Sequence, residues 1–407
     1  MLSYVLFLAA ASVAHAEDSD DDGSEEQTVQ ELRERLRALE QQIDELRQAQ
    51  ASVEEEEVPL DLETQVHGFA AVKLDSYDAQ PAGFALDELV FTYSANLDRK
   101  YTFYTELAFE PGEDTVVVDI EQVQLTLQFD DAFGLFVGRM HAPHSWWAMK
   151  AFHGSYRYLP VSTPEVLALE DHGGGYIPMH QTGVFLNGAV PLGLSRFLYI
   201  LGTSNGRSPL IGGIAQSGDW GWGKAVTGRF TLEAPSGLMV GVGGYYDLVD
   251  PGAAVEELGE IGLVIPDTMS EAIGGYHVIY DSRALYFASE AYAIVQNLEG
   301  DTGGLSYGGY LLVGPHIKKT TPYLNVDVLN FAPESGLVKS GSAPSVERKA
   351  GIGVRHDFAL RAALKFQVDA IQNQEFHEEL DTDGAVVYTD PEDELGLGVH
   401  MQLAAGF

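Results

Sequence analysis

The stretch that decides the fold is Glu394–Phe407, which reads ELGLGVHMQLAAGF. Apolar side chains occupy every second position of this stretch: Leu395, Leu397, Val399, Met401, Leu403, Ala405 and Phe407. Glycine, alanine, His400 and Gln402 fill the positions between them. A period of two predicts a β-strand with one apolar face. In a chain with a formal charge of -38, such a face needs an apolar surrounding.

The charge balance and the missing cysteines exclude several functions. The chain has 61 acidic and 23 basic residues, so no basic face could dominate its field, and nucleic acid is not expected as a partner. With no cysteine, a disulfide, a thiolate nucleophile and a zinc–cysteine site are excluded. After residue 16 the sequence contains no uncharged apolar run of the roughly 18 to 20 residues that a spanning helix needs. If the mature protein crosses a membrane, we expect it to do so with strands.

The first 28 residues predict export followed by a spacer. Residues 1–16, MLSYVLFLAAASVAHA, combine an apolar run with the small-x-small pattern of a signal peptidase site. No Lys or Arg precedes the apolar run, so a retained anchor is the alternative to a cleaved signal peptide. Residues 17–28 are dominated by acidic side chains that repel one another, and we expect them to be a disordered spacer.

Residues 29–58 predict a coiled-coil helix. The apolar positions alternate spacings of three and four, which is the seam of a heptad repeat, at Val29, Leu32, Leu36, Leu39, Ile43 and Leu46. A lone solvated helix is the alternative reading. The mixture of Val, Leu and Ile does not choose between two and three strands. A run of glutamates and then Pro59 end the helix.

Residues 62–407 change from helical spacing to alternation and predict an all-β domain. We find sixteen strand candidates there, many about ten residues long, which is the length of a tilted membrane-spanning strand. The links between them alternate between long and tight, as in outer-membrane barrels. Charged residues such as Lys365 and Asp369 share the face opposite the apolar stripe. The sequence therefore predicts a transmembrane antiparallel β-barrel of about 16 strands, preceded by the short coiled coil.

Two short segments resemble a known family. FGLFVGRMHAP, residues 133–143, precedes a long loop, and LYILGTSNGR spans residues 198–207. With the even strand number, the terminal Phe407 and the N-terminal coiled coil, the chain resembles trimeric sixteen-stranded porins of Gram-negative outer membranes, most closely the porin O and P type, which is phosphate-selective. The resemblance implies a homotrimer in the outer membrane. Outer-membrane lipid and lipopolysaccharide would surround it.

The same resemblance assigns roles to particular segments. Phe407 would be an assembly signal read by the barrel-assembly machinery. The coiled coil would lie in the periplasm, where it either fixes the trimer or approaches the peptidoglycan. The loop after strand five, residues 141–178, would fold into the lumen and set its width.

The loop at 141–178 and the adjoining wall supply the candidate site residues. Opposed charges in a narrow opening order water and sort solutes by sign and size. We expect the constriction to be lined by Arg139, His144, Lys150, His153, Arg157, Glu165, Glu88, Glu106, Arg361 and Lys365. An alternative is that Lys150 and Arg157 pair with Glu88 or Glu106. The sign of the selectivity stays open, because the analogy favours anions whereas the outer loops are acidic.

The functional prediction is a porin for passive diffusion of small hydrophilic or ionic solutes. The alternative is a structural anchor, in which a plugged barrel holds a periplasmic coiled coil that tethers the cell wall. A barrel hydrolase is disfavoured because no convergent Ser and His pair is visible, so no enzymatic activity is expected. The loop histidines lack a compact metal spacing, and neither a metal nor a cofactor is expected. Whether the acidic loops bind calcium stays open.

Overall fold

The chain divides into two compact units, Met1–Asp61 and Leu62–Phe407. The structure is a computed structural model. It describes residues 30, 33–45, 62–77, 81–98, 100–111, 116–151, 153–168, 177–207, 224–250, 268–298, 303–332, 346–374, 377–380, 386–389 and 393–407. The predicted signal peptide and acidic spacer lie outside these residues.

The first unit contains a helix, α1, over residues 33–45. It carries three of the predicted seam positions, of which Leu36 is 52% exposed and Leu39 48% exposed, whereas Ile43 is partly buried. Val29, Leu32 and Leu46 lie outside the described residues. The helix is present, and the coiled coil stays a prediction because its seam needs other chains. Within the described part of the chain, no helix is both long and apolar enough to cross a membrane.

The second unit is a closed antiparallel barrel of sixteen strands. Along the chain they are β1 (Leu62–Tyr77), β2 (Gly83–Leu97), β3 (Tyr101–Pro111), β4 (Val116–Asp130), β5 (Phe133–His141), β6 (His180–Leu192), β7 (Ser195–Ser204), β8 (Ala225–Glu233), β9 (Leu238–Val249), β10 (Met269–Asp281), β11 (Leu285–Leu298), β12 (Leu305–Pro315), β13 (Thr320–Asn330), β14 (Val346–Ala359), β15 (Ala362–Gln374) and β18 (Asp393–Gly406). Two short strands, β16 (His377–Leu380) and β17 (Val386–Thr389), form a hairpin in the last loop. β18 pairs with β1 and closes the barrel, so no edge is left unpaired.

The two faces of each strand differ as the alternation predicted. In β18, Leu397 is 54% exposed and Leu403 50% exposed, whereas the intervening Gln402 is fully buried. In β13, Leu324 faces outward and Asp327 inward. Large apolar side chains therefore cover the outside of the barrel, and polar side chains crowd its interior. This is the reverse of a water-soluble protein and matches a hydrocarbon surrounding.

The connections confirm the predicted alternation of long loops and tight turns, but the boundary between β14 and β15 changes the place of one predicted site residue. Arg361 was expected in the wall, but β14 continues to Ala359 and the β14–β15 turn is Leu360–Arg361. The backbone N–H of Asp357 donates to the carbonyl of Lys319, which extends β14 alongside the preceding turn. Neither Leu360 nor Arg361 is a turn-favouring residue, so the local sequence does not indicate a turn at this position.

The hydrophobic core lies between the wall and the loop that follows β5. This loop, residues 142–179, is called the inner loop below, and its described parts are 142–151, 153–168 and 177–179. It contains helix α2 (Trp146–Ala151), a 3₁₀ turn (Ser155–Arg157) and helix α3 (Glu165–Ala168). Its apolar side chains pack against inward aromatic residues of the wall, among them Tyr245, Tyr292, Tyr310 and Tyr323. The barrel is thus filled by its own loop on that side.

Candidate functional site

Two glycines allow close approach of the backbone near the inner loop, one between β5 and β4 and one between the loop and β9. Gly138 has a φ of 141°, and a Cβ there would lie 1.9 Å from the carbonyl oxygen of Val123. Only glycine adopts such a backbone without strain. On β9, a Cβ at Gly243 would lie 2.2 Å from the carbonyl oxygen of His144. The loop backbone therefore packs directly on the barrel backbone at this point.

The first anchor of the inner loop is Glu290 on β11. Its carboxylate accepts the backbone N–H of Trp147 at 2.7 Å and that of Trp146 at 2.9 Å, both in the first turn of α2. The hydroxyl of Tyr310 also donates to it, at 2.9 Å. These N–H groups begin a short helix and have no helical partner, so the buried carboxylate satisfies them. Glu290 thereby ties the start of the loop to a strand far from β5.

The second anchor is Glu88 on β2. Its carboxylate accepts the backbone N–H of Gly154 at 3.1 Å and that of Ser155 at 2.6 Å. Glu88 therefore serves the loop backbone rather than a basic side chain. The predicted alternative pairing of Glu88 with Lys150 or Arg157 is not among the contacts of the described residues. The other proposed partner, Glu106, instead accepts the hydroxyl of Tyr104 at 2.7 Å and the amide of Gln122 at 2.8 Å.

The third anchor consists of two cations on neighbouring strands. Arg355 on β14 donates to the carbonyl of Tyr158 at 2.6 Å. Lys365 on β15 is fully buried and donates to the carbonyls of Pro160, at 2.8 Å, and of Ser155. The sequence placed Lys365 on the inner wall, and it is there. Because loop backbone covers its ammonium group, however, it holds the loop and offers no surface to a solute.

The fourth anchor is an ion pair at α3. Lys349 on β14 contacts the carboxylate of Glu165 and lies 3.7 Å from Asp327 on β13. Both wall residues are buried. Glu165 was expected to line the lumen, and its charge is matched by a lysine that the sequence did not single out. A buried pair of this kind fixes geometry more than it adds stability.

Aromatic packing completes the attachment of the loop. Trp147 is fully buried, and its ring lies 5.1 Å from that of Tyr158 and 5.4 Å from that of Tyr310. Edge and tilted contacts of this kind are typical of aromatic cores. Trp147 is thus a packing residue of the core between loop and wall.

Two predicted basic residues of the inner loop remain accessible. Lys150 and Arg157 are both exposed, and within the described part of the chain neither forms an ion pair. Arg157 lies over the rings of Phe69 and Tyr156, at 5.3 and 5.5 Å. Burial among the surrounding protein, reinforced by the charge of Arg229, lowers the pKa of Lys150. Lys150 is thus accessible to solvent and at the same time surrounded by protein, as expected for a side chain inside a barrel that contains water.

His144 does not reach the accessible surface. It is 2% exposed, its ring lies 5.5 Å from that of Tyr245, and Nδ1 lies 3.3 Å from the hydroxyl of Thr227. Burial, together with the charges of Arg229 and Arg207, lowers the pKa of His144 to about 3. The ring is therefore neutral at neutral pH and has no surface for a solute.

His153 belongs to a cluster that spacing alone did not indicate. Its Nε2 lies 3.1 Å from Oε2 of Glu121 on β4, and the same oxygen lies near His141 and His180. Burial opposes a charged ring, but Glu121 outweighs this and raises the pKa of His153 to about 10. Sequence reasoning missed Glu121 and His180, because only strand pairing brings them together. The register of β5 and β6, with His141 opposite His180, is the signal that could have found His180.

Three further predicted residues lie in distinct places. Arg139 on β5 is 6% exposed, and its Nε donates to the carbonyl of Glu121 at 3.3 Å. Arg361 lies in the exposed β14–β15 turn, outside the strands, so the strand boundary that put it on the inner wall was wrong. Phe407 exchanges backbone hydrogen bonds with Gly68, at 2.8 and 2.9 Å, and its ring lies 5.9 Å from that of Phe91.

Cavities lie on two sides of the inner loop. One, of about 600 Å³, is bordered by Met149 and by wall residues that include Gln124, Thr126, Arg196 and Arg229. The other, of about 360 Å³, is bordered by loop residues that include Tyr158 and Glu165 and by Lys73, Asp75 and Asp87 of β1 and β2. The second is lined mainly by polar and charged side chains, whereas apolar residues such as Phe136 and Ile200 also line the first. The inner loop therefore borders two cavities of the barrel, each of which contains charged side chains.

The chain is similar to known proteins in structure, but the sequence comparisons found no match. No family model matches the chain, and no curated protein matches it. Among solved structures it is similar to an anion-selective porin from Comamonas acidovorans, at 11% identity and a TM-score of 0.59, with 85% of this chain and 100% of that chain covered. It is also similar to OmpT, an outer membrane protein of Vibrio cholerae in its trimer form, at 11% identity and a TM-score of 0.57, covering 84% and 99%.

A third similar structure is Salmonella typhi OmpF in complex with daunomycin, at 11% identity and a TM-score of 0.52, with 84% of this chain and 97% of that chain covered. In all three comparisons the matched part spans nearly the whole of the known protein. At this level of identity the likeness concerns the fold. The chain has the closed barrel fold that these outer-membrane proteins share.

Proposed function

We propose that the chain is an outer-membrane porin, a passive diffusion channel for small hydrophilic or ionic solutes whose width is set by the inner loop. The observation that carries this proposal is the set of bonds from wall side chains to loop backbone. Glu290, Glu88, Arg355 and Lys365 lie on β11, β2, β14 and β15, and each bonds main-chain groups of the loop. A segment held from several directions narrows the barrel without depending on its own side chains.

The outer surface supports the location. Because exposed apolar side chains cover the outward face of the strands, the barrel needs a lipid surrounding. We propose the outer membrane of a Gram-negative cell, with lipid and lipopolysaccharide around the barrel and α1 in the periplasm. The homotrimer, the porin O and P type and the role of Phe407 as the signal for the barrel-assembly machinery belong to the same proposal, and the family resemblance supports them.

The test is conductance of the purified protein in planar bilayers. We expect stepwise ohmic currents, in multiples of three if the protein is a trimer. A variant lacking residues 144–168 should retain the barrel and conduct more per step, because the wall anchors then hold nothing in the lumen. A membrane that stays tight for both proteins would refute the channel, and equal step sizes would refute the constriction.

The exposed seam of α1 favours a second candidate, a structural anchor that tethers the cell wall. Leu36 and Leu39 are about half exposed, so the helix presents an apolar stripe that other chains could cover. Deletion of residues 27–53 separates the two functions. Blebbing of the outer membrane with conductance unchanged would favour the anchor, whereas normal envelopes would favour a helix that serves only the assembly of the porin.

A further inference from the structure

A cluster of three histidines and one glutamate lies where β4, β5 and β6 meet the inner loop. Oε2 of Glu121 lies 2.5 Å from Nε2 of His180, 3.1 Å from that of His153 and 3.4 Å from that of His141. The exposed fractions of the four side chains are 3%, 2%, 12% and 4% in the same order. Three imidazole nitrogens thus converge on one buried carboxylate oxygen.

We propose that this His–Glu cluster binds one divalent transition-metal ion of the zinc class. Glu121, His141 and His180 each offer one ligand atom, and these atoms all lie within 4.8 Å of one another. His153 would be the fourth ligand, because its Nε2 already lies beside the same carboxylate oxygen.

The distances from Glu121 to the three imidazoles are near those of a tetrahedral site, and His153, which groups with Glu106 and His141, would move toward His180 to complete it. Ligand atoms that share a zinc ion at bond lengths of about 2.0–2.1 Å lie about 3.4 Å apart. The separations of Glu121 from His141 and His153, at 3.4 and 3.1 Å, are close to that value. The 2.5 Å contact with His180 would have to open by about 0.9 Å, which a rotation of either side chain provides.

The donor set selects the class of metal. Three imidazoles and one carboxylate suit zinc, copper, nickel or iron, whereas calcium and magnesium require mostly oxygen ligands. A second carboxylate supports the site: Glu106 forms another group with His141 and His153 whose ligand atoms lie within 4.8 Å of one another. A carboxylate beside a ligating imidazole orients the ring and strengthens its donation. Glu106 is itself held by Tyr104 and Gln122.

The position of the ligands gives the metal a role, which rests on the proposed function. His153 lies on the inner loop, whereas the other three ligands lie on strands. The next residues, Gly154 and Ser155, are those that Glu88 holds. A metal at the cluster would therefore pin the loop to the wall on the β4–β6 side, several strands away from the anchor at Glu290 on β11. Loss of the metal would release one side of the constriction.

The first experiment measures binding and does not depend on conductance. The full chain, folded in detergent and stripped with chelator, is titrated with zinc chloride by calorimetry, and its metal content is measured after dialysis. We expect one zinc per chain, and a loss of affinity of about tenfold or more in Glu121→Gln and His180→Gln. His356→Gln, which removes an exposed imidazole on β14, is the matched control and should bind as the parent does.

Each outcome decides one part of the proposal. Heat-modifiable migration in gels verifies that the variants fold, and His153→Gln, at the least buried ligand, provides a mild variant if the others do not. Zinc uptake that Glu121→Gln leaves unchanged, or no uptake, overturns the site and leaves the cluster as a carboxylate paired with an imidazolium. Zinc binding with no effect on the step size in bilayers overturns the pinning role alone. Absence of any conductance counts against the porin and leaves the binding result standing.

Discussion

The carboxylate of Glu290 on β11 accepts the backbone N–H of Trp147 at 2.7 Å, although the two residues are 143 positions apart in the chain. The bond joins the wall of the barrel to the first turn of α2. A hydrogen bond to a charged acceptor contributes about 1.5–3 kcal/mol, and Glu290 also accepts the N–H of Trp146. This one side chain therefore holds the start of the inner loop in place.

Replacement of Glu290 by Gln should loosen the inner loop. The amide keeps one acceptor oxygen but loses the charge and the second acceptor, so we expect a cost of about 1.5–3 kcal/mol in loop attachment. In bilayers the channel should show larger and noisier conductance steps than the parent. Glu63→Gln, at the exposed start of β1, is the matched control. Steps of parental size and noise in Glu290→Gln would show that this anchor does not set the width.

Charge reversal at Lys150 and Arg157 should change ion selectivity. Both side chains are exposed on the inner loop, and in the described part of the chain neither is neutralised by a carboxylate. Fixed charges in a narrow, enclosed opening favour ions of the opposite sign. In a salt gradient, Lys150→Glu with Arg157→Glu should move the reversal potential toward cation preference.

Lys100→Glu makes the same kind of charge change in the exposed β2–β3 turn, away from the inner loop, and should leave the reversal potential almost unchanged. The control changes the charge by half as much as the loop variant, so a control shift half as large would mean that total charge, and not the loop, governs selectivity. The comparison therefore tests the position of the two residues as well as their sign.

His144 should make the fold sensitive to acid. Burial, Arg229 and Arg207 lower its folded pKa to about 3, below its ordinary value of 6.5. The unfolded chain then binds the proton more readily, so stability is fully present above about pH 6.5 and is lost as pH falls toward 3. Three and a half pKa units correspond to about 5 kcal/mol. The neighbouring Tyr245 is uncharged in this range and does not change the sign.

The variant His144→Gln tests this directly. It keeps hydrogen-bonding capacity but cannot titrate, so its midpoint for unfolding in urea should vary less between pH 7 and pH 4 than that of the parent. His67→Gln, an exposed imidazole on β1, should retain the parental dependence. If the urea midpoints of the parent and of His144→Gln fall by the same amount between pH 7 and pH 4, another group causes the acid sensitivity.

The barrel could be predicted from the sequence because its outer surface is apolar. Apolar side chains must then occupy every second position of each strand. Leu397, Leu403 and Gln402 alternate as expected, and this pattern needs no knowledge of the neighbouring strands. The β14–β15 boundary was misplaced because Leu360 and Arg361 make a turn without glycine, proline or asparagine. The alternation of apolar residues and the turn-favouring residues therefore predict the strands, but they do not predict where every strand ends.

The candidate site was harder to predict, because its residues are far apart in the sequence and come together only through the register of the paired strands. The pairing of β3 with β4 shifts between Glu106 and Leu107, so Glu121 has no partner in the ladder. Such a bulge re-aims a side chain, and nothing in the local sequence announces it. Lys365 was assigned to the inner wall, but the backbone that covers its ammonium group comes from residues about 200 positions away.

Polar substitution of the seam of α1 should separate the helix from the channel. Leu36 and Leu39 are about half exposed and lie at predicted core positions of a coiled coil. Leu36→Ser with Leu39→Ser should weaken association between chains, and chemical cross-linking in membranes should then yield fewer trimers. The conductance of each channel should persist, since the lumen is formed by residues 62–407 of a single chain. Gln41→Ser, on the same helix but outside the seam, is the control. If cross-linking is equal in all three proteins, the barrel surface alone holds the chains together, and the seam must serve another partner.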